Sequence, residues 1–336
     1  MRKRVLPNSG LEVSRIGLGT LTWGRPGTDE DAAAQLRSYA EAGGNFVTTA
    51  TVYGNGRAEE VLGAELATSH RRDDFVVLTK AGMIPGTTKV DASCERMLAE
   101  LEESLRRLRT GHVDIWQVHA WDWTHPLEET LEAFDKAVSS GKARSVGLSN
   151  YCGWQTAKAA TIQDVGGRAR PVTTEVEYSL LQRGVEREVL PAAVESGIGV
   201  LPWAPLGRGV LTGKYRAGIP ENRRDSKYFQ WYVQHYATDD RCGRIVEEVV
   251  RCAEELAVTP AAVALSWVRD RLGVVAPLVG AKTAAQLAES LTAERLELPE
   301  EMSERLEMIS APARDYPERQ VGGGGSTRPK PRVKPA

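Results

Sequence analysis

Residues 43–63 read GGNFVTTATVYGNGRAEEVLG, and the hydrophobic period changes partway along them. Asn45–Ala50 is a short β-branched and aromatic run, the composition of a strand buried on both faces. From Ala58 onward apolar residues return at spacings of three and four, the period of a helix. Glycines at 54 and 56 mark a turn between the two. The segment is therefore one strand–turn–helix unit.

The unit recurs along the chain. RIGLG, NFVTTA, FVVLTK, VDIWQVHA, ARSVGLSN, VTTEVEYSL, GIGVLPWAPL and VVAPLVGA are eight candidate strands. Between them lie helical patterns such as DEDAAAQLRSYAEA, SCERMLAELEESLRRL, PLEETLEAFDKAVSSG, REVLPAAVESG and DDRCGRIVEEVVRCAEEL. Strict alternation of strand and helix implies a parallel sheet. Eight such units from residue 15 to about 293 close most naturally as a (β/α)8 TIM barrel. RVLPNSGLEV supplies an N-terminal hairpin, turning at Asn8-Ser9-Gly10, to cap its bottom. The alternative is a doubly wound open sheet. Its dinucleotide fingerprint is missing, because GLGTLTWG after the first strand lacks the third glycine of G-x-G-x-x-G.

The expected organisation is a single barrel over residues 1–312 and a flexible basic, Gly/Pro-rich tail over 313–336, whose composition cannot bury apolar surface. Gly207–Thr238, after the seventh strand, is too long for a plain βα connection and reads as a functional loop on the C-terminal face. A net charge of −2 over 336 residues gives no field that would attract nucleic acid or an anionic membrane. No apolar run is long enough to span a bilayer, and MRKRVLPNSG lacks the apolar segment of a secretory signal. Cys94, Cys152, Cys242 and Cys252 have no C-x-x-C spacing, so free thiols in a reducing compartment are expected rather than disulfides or a metal site. The expected location is cytoplasmic, and the sequence leaves oligomerisation open.

In a barrel of this kind, reactive groups belong at the C-terminal ends of the strands. Tyr53 follows the second strand, Lys80 ends the third and His119 ends the fourth. Alone, each has an ordinary reading: a packing ring, a solvated cation, a hydrogen-bonded core imidazole. Together they form a proton-transfer set. An unperturbed phenol titrates near 10, and an adjacent ammonium makes its proton easier to deliver. His119 could orient a carbonyl.

The chain resembles the aldo-keto reductases, and the likeness runs from VLPNSGLEVSRIGLGT to LVGAKTAAQLAESL. The family pattern N-F-x-D-T-A-x-x-Y-G, a T-K after the third strand and a histidine ending the fourth stand here as NFVTTATVYG, LTK and QVHAWD. The resemblance implies a barrel that binds NADP(H) without a Rossmann domain and transfers hydride to aldehydes or ketones, with Tyr53 as proton donor. It further implies that Ser149 and Asn150 hold the nicotinamide carboxamide, that Trp203 stacks on the nicotinamide with Glu175 near it, and that Gly19, Thr20 and Gly280 are also cofactor-binding. Backbone near Ala204, Leu206 and Gly207 would meet the pyrophosphate. Lys214 and Arg224 would clasp the phosphates, Lys282 would meet the 2′-phosphate, and Gln286, Glu289 and Ser290 would face the adenine.

Three positions depart from the family pattern: Thr48 stands for an aspartate, Glu175 for a glutamine and Ser290 for an asparagine. The first is expected to leave Lys80 with only a hydroxyl acceptor, and the second to bring a negative group to the nicotinamide. Trp23, Trp121 and Trp123, with Tyr228, Phe229, Trp231 and Tyr232, suggest an aromatic-lined mouth for a bulky aromatic, cyclic or glycosylated substrate. The leading reading is NADPH-dependent carbonyl reduction. The alternatives are a redox-neutral conversion on tightly held NADP+ and a cofactor-binding regulatory protein with vestigial catalysis.

Overall fold

The structure, a computed structural model, describes residues 1–24, 29–219, 221, 227–313 and 316. The hairpin forms first, with β1 (Lys3–Val5) antiparallel to β2 (Glu12–Ser14) and with Asn8 and Gly10 turning at positive φ. The alternation then runs β3 (Gly17–Gly19), α1 (Asp29–Glu41), β4 (Phe46–Thr48), α2 (Arg57–Thr68), β5 (Val76–Ala81), α3 (Cys94–Leu108) and β6 (Val113–Val118). It continues through α4 (Leu127–Ser139), β7 (Ala143–Ser149), α5 (Gly153–Val165), β8 (Pro171–Glu177), α6 (Val189–Glu195) and β9 (Gly199–Trp203). Two short helices, α7 (Lys227–Tyr232) and α8 (Gln234–Ala237), precede α9 (Asp240–Leu256), α10 (Pro260–Arg269), β10 (Leu278–Val279), α11 (Ala284–Leu291) and α12 (Glu300–Ser310).

Strands β3 to β9 pair parallel in chain order, and β10 pairs with β3. The ring closes just before β10. There Val200 of β9 donates its N–H to Gly273 and its carbonyl accepts from Val275, both at 2.9 Å. Pro277 has no N–H to donate, which fits the shortness of β10. The first and last barrel strands are therefore neighbours, and the open-sheet alternative is excluded.

Inward-facing side chains explain where the chemistry sits. Leu6 and Val13 of the hairpin meet Phe46, Val76, Leu78, Ile115, Leu201 and Leu278 in one apolar cluster that plugs the bottom of the barrel. Side chains alternate along a strand, so the next inward positions are Lys80 above Leu78 and Gln117 above Ile115. Gln117 donates to Thr173 at 2.7 Å. The interior thus turns from apolar to polar one step below the C-terminal mouth.

The segment after β4 is locked from the helix side. Glu59 of α2 is fully buried, and it accepts from the Thr79 hydroxyl of β5 and from Arg107 Nε of α3, both at 2.6 Å. Gly63 lets α2 approach α3, because a Cβ there would lie 2.3 Å from the Arg107 carbonyl oxygen. Among the described residues no helix is long and apolar enough to cross a membrane.

Gly63→Ala is expected to lower stability by about 1–3 kcal/mol through overpacking. Helix propensity alone would raise it by about 0.5–1 kcal/mol. Urea unfolding distinguishes the two, and a stabilised variant would contradict the close approach.

Candidate active site

The mouth is built from three successive βα junctions. Tyr53 opens a 3₁₀ turn (Tyr53–Gly56) just past β4, Lys80 points inward near the end of β5, and His119 directly follows β6. The Tyr53 and His119 rings meet edge to face, 6.0 Å between centroids and 81° between planes. The Lys80 ammonium lies 5.2 Å from the Tyr53 ring centroid. His119 is held by its backbone: its N–H donates to Ala81 at 2.8 Å, and its carbonyl accepts from Asn150 Nδ2 at 2.9 Å. Its Nδ1 is buried and has no hydrogen-bond partner among the described residues. The three sequence-predicted groups do converge.

Lys80 is not left with a hydroxyl. Its ammonium donates to both oxygens of Glu175, at 2.9 and 3.1 Å, with side-chain exposures of 0% for the lysine and 4% for the glutamate. The expectation of an ammonium without a counter-charge is corrected: β8 supplies across the barrel the carboxylate that β4 lacks. The negative group expected beside the nicotinamide is this same Glu175 carboxylate, and it is paired with Lys80. Thr48 is buried at the end of β4, and its carbonyl accepts from Thr20 N–H at 3.0 Å.

Burial alone would lower the Lys80 pKa, but Glu175 and Tyr53 outweigh it, and the net shift is upward. Burial pushes the Tyr53 phenol up, Lys80 pulls it down and Glu175 pushes it up, leaving it above its ordinary value. Burial and then the Lys80 charge push His119 from 6.5 down to about 3. The set is a protonated phenol, a paired ammonium and a neutral imidazole.

Of the residues assigned to the cofactor, Ser149, Asn150 and Trp203 are linked by hydrogen bonds to one another and to the His119 carbonyl. Asn150, in a left-handed conformation (φ 55°), donates to Ser149 Oγ at 3.1 Å and accepts from Trp203 Nε1 at 3.0 Å. Ala204, Gly207, Arg208 and Gly209 all have positive φ, which folds the chain after β9 into a tight turn beside Leu206. A Cβ on Gly209 would lie 2.5 Å from Lys214 Nζ, so Lys214 folds back onto this turn. Gly19 faces Gly280 across the closure, and a Cβ on Gly19 would lie 3.9 Å from Gly280 N.

Exposed Lys282 precedes the N-terminus of α11, where Thr283 caps and Gln286 accepts from the Lys282 N–H at 3.1 Å. Glu289 is exposed, and the Ser290 hydroxyl is committed to the Gln286 carbonyl at 3.1 Å. Arg224 lies outside the described residues. A nicotinamide dinucleotide fits this donor set. Amide and hydroxyl groups sit at the mouth, where Thr20 Oγ1 is buried and has no partner among the described residues, and a cation lies at a helix N-terminus at the rim.

Trp23 is corrected from substrate contact to core. It is buried and donates its indole N–H to Gln35 of α1 at 3.1 Å. Trp121 instead centres an aromatic shelf, with Tyr151 at 5.1 Å, Trp154 at 5.2 Å and Trp123 at 5.9 Å between centroids. Trp123 is 80% exposed. Asp122 fixes the loop beneath them, accepting from Ala92 N–H at 2.7 Å and from the Thr124 hydroxyl at 2.6 Å. Sequence reasoning passed over Trp154 and Arg208. The latter lies 4.9 Å from the Trp203 ring and 4.7 Å from the Tyr232 ring, with Glu177 at 3.5 Å. An arginine between two glycines, just past a strand that bears a site residue, was the available signal.

The family model for the aldo/keto reductase family matches residues 15–311. The chain belongs to that family and is an oxidoreductase. It is 33% identical over 334 residues to the uncharacterized oxidoreductase YrpG of Bacillus subtilis (strain 168), covering 95% of this chain and 99% of that protein. It is 30% identical over 329 residues to an aryl-alcohol dehydrogenase [NADP(+)] of Phanerodontia chrysosporium, covering 89% and 83%. It is also 33% identical over 300 residues to a probable voltage-gated potassium channel subunit beta of Arabidopsis thaliana, covering 87% and 91%. The family acts on small-molecule carbonyl compounds and generally uses NAD(P)H.

With its folded pKa depressed, His119 stays neutral where the unfolded chain's imidazole takes up a proton. Stability is therefore present above about pH 6.5 and is lost on acidification towards about pH 3, by up to about 1.4 kcal/mol per pH unit. Unfolding of the parent against His119→Gln between about pH 7 and pH 5 checks this. The parent's margin should shrink on acidification; a constant margin would mean that His119 titrates alike in the folded and unfolded chain, and a growing one that it is charged in the fold.

Proposed function

We propose that the protein reduces an aldehyde or ketone with NADPH and that Tyr53 delivers the proton. The observation that carries this reading is the convergence of a protonated phenol, a paired ammonium and a neutral imidazole at one mouth. When bound, NADPH supplies a hydride to the carbonyl carbon. Tyr53 gives its proton to the carbonyl oxygen as negative charge develops there. Lys80 steadies the phenolate left behind, since a cation beside an oxyanion favours the ionised form. His119, neutral near pH 7, can hydrogen-bond the carbonyl and fix its direction without competing as an acid.

Ser149 and Asn150 would hold the carboxamide and Trp203 the face of the ring. Lys282 and Lys214 would give a cationic setting suited to a phosphomonoester. The redox-neutral alternative takes Thr48 and Glu175 as tuned together for a native substrate; the pairing of Glu175 with Lys80 supports the reductive reading by keeping charged the lysine that proton delivery from Tyr53 uses. The shelf of Trp121, Trp123 and Trp154 suits a flat aromatic or cyclic substrate, through stacking and apolar area. The name of the aryl-alcohol dehydrogenase relative is consistent with that class.

A panel of aryl aldehydes and cyclic ketones with NADPH, followed at the nicotinamide absorbance, tests the reading. Net NADPH loss that tracks alcohol formation supports it, and conversion without net loss would replace it with the redox-neutral alternative. Tyr53→Phe should lower kcat by about 10²- to 10⁴-fold, the usual contribution of a general acid, with NADPH affinity nearly unchanged. A rate within about twofold of the parent would exclude Tyr53 as donor. Lys282→Ala should weaken NADPH more than NADH, and equal losses in a titration of the two would remove Lys282 from the 2′-phosphate.

A further inference from the structure

We infer that Glu175 is the positioning residue that keeps Lys80 charged, so that the counter-charge of this site has moved from β4 to β8. The inference rests on the reading of Lys80 as the partner of Tyr53. Both Glu175 oxygens lie on the ammonium, and both side chains are shut away from solvent. Thr48 pairs in register with Leu78, and Lys80 is two residues further along β5 on the same inward face. A carboxylate at position 48 would thus face the same ammonium from the neighbouring strand. Positions 48 and 175 are two places from which one charge can be balanced, and this chain uses the second.

The titratable groups around Lys80 come from each neighbouring element. Glu175 approaches from β8, Tyr53 from the turn after β4 and His119 from the end of β6. The residues in register with Glu175 on β7 and β9, Ser149 and Leu201, carry no charge, and Glu177, two residues further along β8, is engaged by Arg208 and Tyr236. Glu175 is therefore the one anion in the described set, and the pair leaves the pocket with no net charge while His119 is neutral. Removing the carboxylate strands an ammonium in a dry site, and a stranded ammonium sheds its proton. Adding Asp at 48 while keeping Glu175 gives two carboxylates one cation to share, which destabilises the site.

Lysines labelled with carbon-13 at Cε report protonation directly, and Lys80 is assigned by the signal lost in Lys80→Met. The titration is run without substrate in the parent, in Glu175→Gln and in Thr48→Asp/Glu175→Gln, from about pH 6 to about pH 10, a range in which the parent's Lys80 should stay charged. Glu175→Gln should lower the Lys80 midpoint by about two units or more and so bring it inside this range, and the double variant should keep Lys80 charged to the top of the range, as in the parent. The alkaline limb of kcat/KM should move the same way in the same proteins.

A Glu175→Gln protein whose Lys80 titrates as in the parent overturns the inference, and so does a double variant that fails to keep Lys80 charged across the range. If Glu175→Gln does not fold, the double variant decides alone: a folded protein with Lys80 charged across the range supports the relocation, and an unfolded one overturns it. Because the titration needs no turnover, a parent that reduces no carbonyl compound would sink the proposed function without touching this result.

Discussion

The contact between Lys80 and Glu175 constrains everything around it. Two opposite charges withdrawn from water are tolerable only with close geometry, and losing either partner typically costs about 3–5 kcal/mol. The pair joins β5 to β8, which are three places apart in the sheet and face one another only because the strands close into a ring. Closure in turn depends on the apolar plug below, where Leu78 and Ile115 meet the hairpin's Leu6 and Val13. The pair sits one inward step above that plug, and the alternation of side chains sets its depth.

Much of the barrel was legible in the sequence, because eight β-branched runs alternating with amphipathic stretches admit few other topologies. The strands are shorter than their runs: the run ending at Leu180 leaves the ladder at Glu177, and the run from Val274 makes one bridge to Val200 and then a two-residue strand at Leu278–Val279. Tyr53, Lys80 and His119 were legible for a positional reason, since each follows or ends a strand and so must reach the same rim. The partner of Lys80 was not. Position 175 lies 95 residues further on, and only a closed ring brings it opposite. A family pattern that reserves the position for a carboxamide contact pointed away from the pairing. Trp23 was misjudged for the converse reason. It follows a strand like the others, but the turn after β3 bends its ring back onto α1, where Gln35 offers an acceptor.

The long connection after β9 bears on the site through side chains from both of its ends. Arg208 leaves the tight turn and enters between the ring of Trp203 and the ring of Tyr232, and Glu177 at the end of β8 offsets its charge. Each such cation–ring contact contributes about 0.5–1 kcal/mol where water is present. Trp203 is tied to Asn150, and Asn150 to the His119 carbonyl. A chain of direct contacts therefore runs from the connection to the His119 backbone carbonyl. The stack, rather than the connection's own backbone, sets how the mouth is framed on that side.

The two seats for a carboxylate have an evolutionary consequence. A chain with aspartate at 48 and glutamine at 175 and a chain with threonine at 48 and glutamate at 175 hold the same inventory of charge. Each single step between them passes through a barrel with either no anion for the buried ammonium or two. Neither intermediate is neutral, so the layouts are separated by a fitness valley although they differ at two positions. A tally of conserved letters would score this chain as defective at both places, whereas a tally of charges finds nothing missing.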